Sequence, residues 1–264
     1  MLHYDFDGSL TGLLSCVFRA FEFKEWDSQL LNPISSQNHL FSSVIKVKTD
    51  EIKAQRVWEG LKKKLSSNAL KKFHYAFLSE NLNAHQALLN YCVFIFKSGQ
   101  GAYRNYNQVS VLEVEQWAKK VSREKHRMEA FVRFKKLEDE LYLSLVNPDF
   151  NVLPIIEKHF VSRYQDQRWL IYDEKRLYGI YYDLNTVHQV FLNAAEIDDN
   201  LKTGFKQQFS VPLYKDEALY DQLWKTYFNS VNIVERQNMR LHIQYVPKRY
   251  WRYLNEKDFR ALSH

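Results

Sequence analysis

The chain has 264 residues, 45% of them hydrophobic and 26% charged, close to a globular average, with only 7 glycines and 5 prolines; this excludes collagen-like and low-complexity classes. Its 37 basic and 31 acidic side chains leave a formal charge of +6. The two cysteines, Cys16 and Cys92, are too few and too far apart for a zinc or iron–sulfur site, and read as lone thiols of a reducing compartment.

From the N-terminus, Tyr4–Phe6 reads as a short strand turned by Asp7-Gly8. Ser9 caps a helix whose apolar residues, Leu10, Leu13, Leu14, Val17, Phe18 and Phe21, recur at helical spacing. The alternating run SSVIKVK predicts a strand. Thr49 or Asp50 then opens a helix with Val57, Trp58, Leu61 and Leu65 on one face. Leu70, Phe73, Phe77 and Leu78 mark another helix, and Leu88, Leu89, Cys92, Phe94 and Ile95 one buried nearly all round. The most apolar stretch, 84–96, is broken by His85, Gln86 and Asn90 and is short of the about 20 residues a membrane span needs. With an acidic start unlike a signal peptide, no membrane role and a cytoplasmic setting are expected.

Gly99 and Gly101 make a loop of Ser98–Asn107, and a weak domain boundary is expected near residue 100, giving parts 1–100 and 101–264. A helix follows from about Val109 to Met128. The pattern then switches to period two. AFVRFKKL and LYLSLV predict a hairpin across 138–140, and RWLIYD with LYGIYYD a second across Glu174-Lys175. Pro154 suits the first turn of a helix between them, and VHQVFL adds a strand. Helices are expected after Asp216 and Asn238, and a closing helical segment from Pro247. The expected fold is therefore α/β of the α+β type: a mostly helical N-terminal part, a central antiparallel sheet built from hairpins, and C-terminal helices.

The positive charge is clustered. Residues 119–136 hold eight Lys/Arg against two acids, and residues 236–254 hold five against none, while 137–235 hold nine against sixteen. Two such clusters are the footprint expected for a polyanion, although a solvated helix face looks the same. On the 109–128 helix, Lys119, Lys120, Arg123, His126 and Arg127 fall opposite Val114, Trp117, Ala118, Val121 and Met128. The candidate nucleic-acid-binding set is Lys119, Lys120, Arg123, Arg127 and Arg133, with Arg236, Arg240, Lys248, Arg249, Trp251 and Arg252. In VPKRYWRYL, the helical reading sends Lys248, Arg249 and Arg252 outward and docks Tyr250, Trp251 and Leu254 on the core. RMEAFVRF partly resembles an RNA-recognition strand, but the order of elements excludes that fold. No phosphate loop, nucleophile elbow or zinc-deaminase motif occurs, and no cofactor or metal site is read. His126, Asp149, Asn151 and Asp166 are the catalytic candidates, against the plainer reading that Asp and Asn cap and turn.

The segments EKHRMEAFVRF, NPDFNVLPIIEKHFVSRYQDQRWLIYDEKR, YFNSVNIVERQN and VPKRYWRYL occur in order after an opening YDFDGSLTGLL. Together they resemble a bacterial family described as probable DNA metabolism proteins, whose C-terminal part is a domain of unknown function sometimes fused to a uracil-DNA glycosylase. The resemblance implies DNA as ligand, a radical-SAM protein as partner with uracil-DNA glycosylase as a second candidate, and a setting in DNA repair or modification. With the charge pattern, the leading expectation is a DNA-binding accessory protein; the alternatives are a DNA-acting enzyme, glycosylase or nuclease, using the catalytic candidates above, and an adaptor whose basic faces meet an acidic partner. It supplies no catalytic residues. Met239 departs from the family's pattern, which often has proline there.

Overall fold

The computed structural model describes residues 2–31, 43–137, 140–191 and 245–254. The chain forms two compact units, 1–123 and 124–264. The glycine loop of 98–107 lies inside the first.

In the first unit, β1 (Leu2–Asp5) is the middle of a three-stranded parallel sheet, flanked by β2 (Gln29–Leu30) and β3 (Ser43–Lys46). Successive strand residues point to opposite faces, yet His3 and Tyr4 are both buried, as in a sheet covered on both sides. Helix α1 (Leu10–Glu22) starts where sequence chemistry says it should. Gly8 takes a positive φ of 79°, and the Ser9 hydroxyl accepts the Gly12 N–H at 2.8 Å. Asp50 does the same for α2 (Glu51–Lys64), accepting the Lys53 N–H at 2.9 Å, and Ser66 caps α3 (Ser67–Phe77). With α4 (Leu82–Lys97), these helices bury Leu13, Val17, Leu61, Phe73, Leu88 and Cys92 in one core. Burial pushes the Cys16 thiol up to about 12, so it packs as a small hydrophobe. The two-residue β2 was not anticipated, because two residues carry no period.

Helix α5 (Val109–Phe131) has 23 residues, about 34 Å at 1.5 Å per residue. It runs three residues beyond the expected Met128 and absorbs Ala130 and Phe131, which the sequence pattern assigned to a strand. The reason is packing: the Phe131 ring lies 5.5 Å from Tyr250, and Arg133 Nη1 donates to the Ala130 (2.6 Å) and Val132 (3.2 Å) carbonyls, satisfying the helix end.

The second unit holds a five-stranded sheet in the order β4-β5-β6-β7-β8: β4 (Lys135–Lys136), β5 (Tyr142–Val146), β6 (Trp169–Asp173), β7 (Tyr178–Tyr182) and β8 (Val187–Val190). The hairpins β4–β5 and β6–β7 and the strand β8 are as expected. The sheet is nevertheless mixed: β5 and β6 pair in parallel, Leu143 opposite Leu170. The helix between them, α6 (Leu153–Arg163), is a crossover that returns the chain to the same end of the sheet. On one face Phe160 of α6 and Phe134 surround Trp169, which stacks on Tyr182 at 5.4 Å. On the other, Leu143, Leu145 and Tyr172 pack with Tyr253 of the 248–253 segment. The helices expected after Asp216 and Asn238 lie outside the described residues.

Candidate nucleic-acid interface

On α5, helical periodicity separates two faces. Val111, Val114, Ala118, Val121 and Met128 are buried, and Lys119, Lys120, Arg123 and His126 are exposed. Lys119 and Arg123, four residues apart and so adjacent on the helix, have no ion-pair partner among the described residues. Lys120 Nζ lies 3.8 Å from the centre of the Trp117 ring, a cation–π contact made by the charged end itself. His126 is 87% exposed, with Nδ1 3.9 Å from Glu129.

Glu124 interrupts the buried stripe. It is 1% exposed, and its two oxygens are fully used. Oε1 accepts the Asp149 N–H at 2.8 Å and the Tyr250 hydroxyl, while Oε2 faces Arg127 Nη1 at 3.4 Å and Arg249 Nη2 at 3.7 Å. Arg249 also grips the Asp149 carboxylate and donates to Tyr250 Oη at 2.8 Å. One residue from each basic cluster, Arg127 and Arg249, therefore meets on a single buried carboxylate. Burial, then the bond to Glu124, pushes the Tyr250 hydroxyl well above the usual phenol range, so it donates as a neutral group.

The segment Lys248–Tyr253 is a 3₁₀ helix. Tyr250 and Leu254 are buried and the three cations are exposed, as the sequence suggests. Two of those cations nevertheless have internal partners. Arg249 is held as above, and Arg252 Nη2 donates to Glu174 at 2.8 Å, beside the Tyr253 hydroxyl, which bonds the same carboxylate. Lys248 has no ion-pair partner among the described residues. Trp251 is half-buried and its indole N–H donates to the Val246 carbonyl at 3.0 Å.

Asp173, with no exposure, anchors the neighbouring turn. It accepts the Lys175 and Arg176 N–H groups (2.9 and 3.2 Å) and pairs with Arg176 Nη1 at 2.8 Å. Burial raises the Asp173 carboxyl despite this guanidinium. Arg176 and Lys175 also donate to the Pro148 and Asp149 carbonyls, tying the 147–151 loop to the turn.

Residues 83–256, from the first turn of α4 to just past this 3₁₀ segment, match the family described as a domain of unknown function, DUF4130. The chain belongs to that family. No curated protein matches it. Among solved structures, the pGpG-specific phosphodiesterase PggH from Vibrio cholerae is similar at 11% identity, covering 88% of this chain and 99% of that one, with a TM-score of 0.31. So slight a likeness carries no argument.

The DUF4130 match contains every described candidate, but the catalytic ones do not converge. Asp149 and Asn151 precede α6 and Asp166 follows it, so the 11-residue helix separates them by about 16 Å. Asp149 is engaged by Arg249, Asn151 accepts the Tyr178 hydroxyl at 2.5 Å, and His126 sits by Glu129. Asp183, Thr186 and His188 superficially suggest a triad. Both His188 contacts, 2.9 Å to Asp183 and 2.8 Å to Thr186, go to the same nitrogen, Nε2, so the cluster locks a turn. Arg236 and Arg240 lie outside the described residues; among these residues no His, Cys, Asp and Glu group could hold a metal, and no helix is long and apolar enough to cross a membrane.

Sequence reasoning missed Glu124 and Glu174. Glu124 had a signal: it falls at the apolar helical spacing set by Val121 and Met128, where a charge must find partners.

Proposed function

We propose that this protein is a DNA-binding accessory factor in DNA repair or modification, which presents DNA to a radical-SAM partner. The observation that carries the reading is the row on α5: Lys119 and Arg123 stand exposed with no carboxylate partner among the described residues. Arg127, Arg249 and Arg252, by contrast, are held by acids of their own unit. Exposed cations at helical pitch are what phosphate oxygens require, whereas cations already paired add little. Lys248 supplements the row by charge alone. The resemblance to DNA metabolism proteins supports the same setting and names the partners.

The test is binding of the purified chain to single-stranded, double-stranded and uracil-containing DNA across a salt series. In the double variant Lys119→Glu/Arg123→Glu, affinity is expected to fall at least about tenfold at low salt. The slope of log K against log salt should fall by about 0.9 per lost phosphate contact on a duplex, or about 0.7 on a single strand. An unchanged affinity and slope in a folded variant would remove the basis of the proposal. The partner claim is tested separately, by pull-down of the radical-SAM protein with and without DNA.

A further inference from the structure

The first unit contains a cavity of about 390 Å³, between the start of α3, the middle of α4, the 3₁₀ turn Ala102–Arg104 and the first turns of α5. That volume lies within the range of small-ligand sites. Its lining has three tyrosines. Tyr91 lines the cavity, is 3% exposed and makes no hydrogen bond with any described residue. A tyrosine on the wall brings a hydroxyl that can donate to, or accept from, a polar group placed in the cavity. Tyr103 and Tyr106 are the outer rings; Tyr106 is 51% exposed. Ring faces of this kind are what a planar heteroaromatic ligand stacks on.

The charges say which kind. Lys72 and Glu115 pair at 2.7 Å on the wall, a donor and an acceptor side by side, with no net charge. Arg104 is left as the uncompensated cation; its guanidinium lies 5.3 Å from the Tyr103 ring centre. Ser66 and Asn68 place the N-terminal, positive end of α3 on the same cavity. The ligand should therefore be planar and aromatic, with hydrogen-bonding edges and one anionic group. From this arrangement we infer that the cavity binds a single nucleotide, its base among Tyr91, Tyr103 and Tyr106 and its phosphate toward Arg104 and the start of α3. The nucleotide is either free or one residue of a single DNA strand. The site is separate from the Lys119–Arg123 row and does not rest on it.

The experiment uses the full chain, titrated by calorimetry and tyrosine fluorescence with the four deoxynucleoside monophosphates and with an octathymidylate. Ribose 5-phosphate and a nucleoside without phosphate serve as controls. A nucleotide should saturate and both controls should bind weaker. Tyr106→Ala, at an exposed position, should weaken binding at least about fivefold, the low end of what a lost base–ring stack gives. Arg104→Ala should weaken the nucleotide but not the nucleoside, and Tyr91→Phe should weaken both. Saturation by monophosphates identifies a free nucleotide. Binding of the octamer alone, lowered by Tyr106→Ala but not by Lys119→Glu/Arg123→Glu, identifies a strand residue. No saturable binding of either ligand, or binding indifferent to Tyr106→Ala and Arg104→Ala, would overturn the inference.

Discussion

Replacing Glu124 by leucine tests whether one buried carboxylate holds the 248–253 segment in place. The Asp149 N–H and the Tyr250 hydroxyl both lose their acceptor in a site where Glu124 is 1% exposed. A buried donor left unmatched costs about 1–3 kcal/mol. Arg127 and Arg249 are 28% and 44% exposed in their side chains, so water takes over much of their solvation and they add at most about 1 kcal/mol together. The better burial of a leucine offsets about 1–2 kcal/mol. The net expectation is a loss of about 3 kcal/mol. Glu124→Gln keeps an amide oxygen for the Asp149 N–H and the Tyr250 hydroxyl but sets its NH2 against the part-exposed Arg127 and Arg249, so about 1 kcal/mol is expected. Because two units need not unfold together, the readout should be local: hydrogen exchange of the Asp149 amide and the 248–254 backbone, alongside urea unfolding. A leucine variant within about 0.5 kcal/mol of wild type, or no worse than the glutamine variant, would refute the reasoning.

Two further outcomes follow from the two cores. His85 is 7% exposed, donates from Nε2 to the Phe77 carbonyl at 3.1 Å, and has its pKa lowered by burial despite that bond. A depressed histidine favours the unfolded state whenever protons are abundant. The first unit should thus be unaffected above the unfolded value of about 6.5 and lose stability as pH falls below it toward the folded pKa. His85→Gln should flatten that limb, and urea midpoints at pH 7.5 and 5.5 check it; an unchanged difference between the two would sink the assignment. In the second unit, a Cβ on Gly179 would meet the Ile171 carbonyl oxygen at 2.9 Å, a backbone atom that cannot swing away. Gly179→Ala should cost about 1–3 kcal/mol, measured by thermal unfolding, and a neutral result would mean that β6 and β7 yield more easily than their register implies.

Local chemistry was legible wherever the partner is near in the chain. Ser9 and Asp50 cap helices through N–H groups three residues on, and β6 and β7 meet across a turn whose Asp173 binds the next two to three residues. The outward row of α5 is likewise a matter of period. What periodicity misread was the start of β4, where AFVRF alternates like a strand but Ala130 and Phe131 finish a helix because Tyr250 packs on that ring. The parallel pairing of β5 with β6 was also invisible. A strand's own residues do not say which neighbour it takes or in which direction.

By itself, then, the sequence determined the described helices α1–α6 apart from the end of α5, the Ser9 and Asp50 caps, the hairpins and which face of α5 meets water, since each of these follows from residues within about a turn or two of one another. Only the tertiary structure decided which cations stay available. Arg249 finds Asp149 across 100 residues, Arg252 finds Glu174 across 78, and Tyr250 finds Glu124 across 126. Charge is written in the composition, but whether a charge is already neutralised depends on what the folded backbone brings within about 4 Å of it.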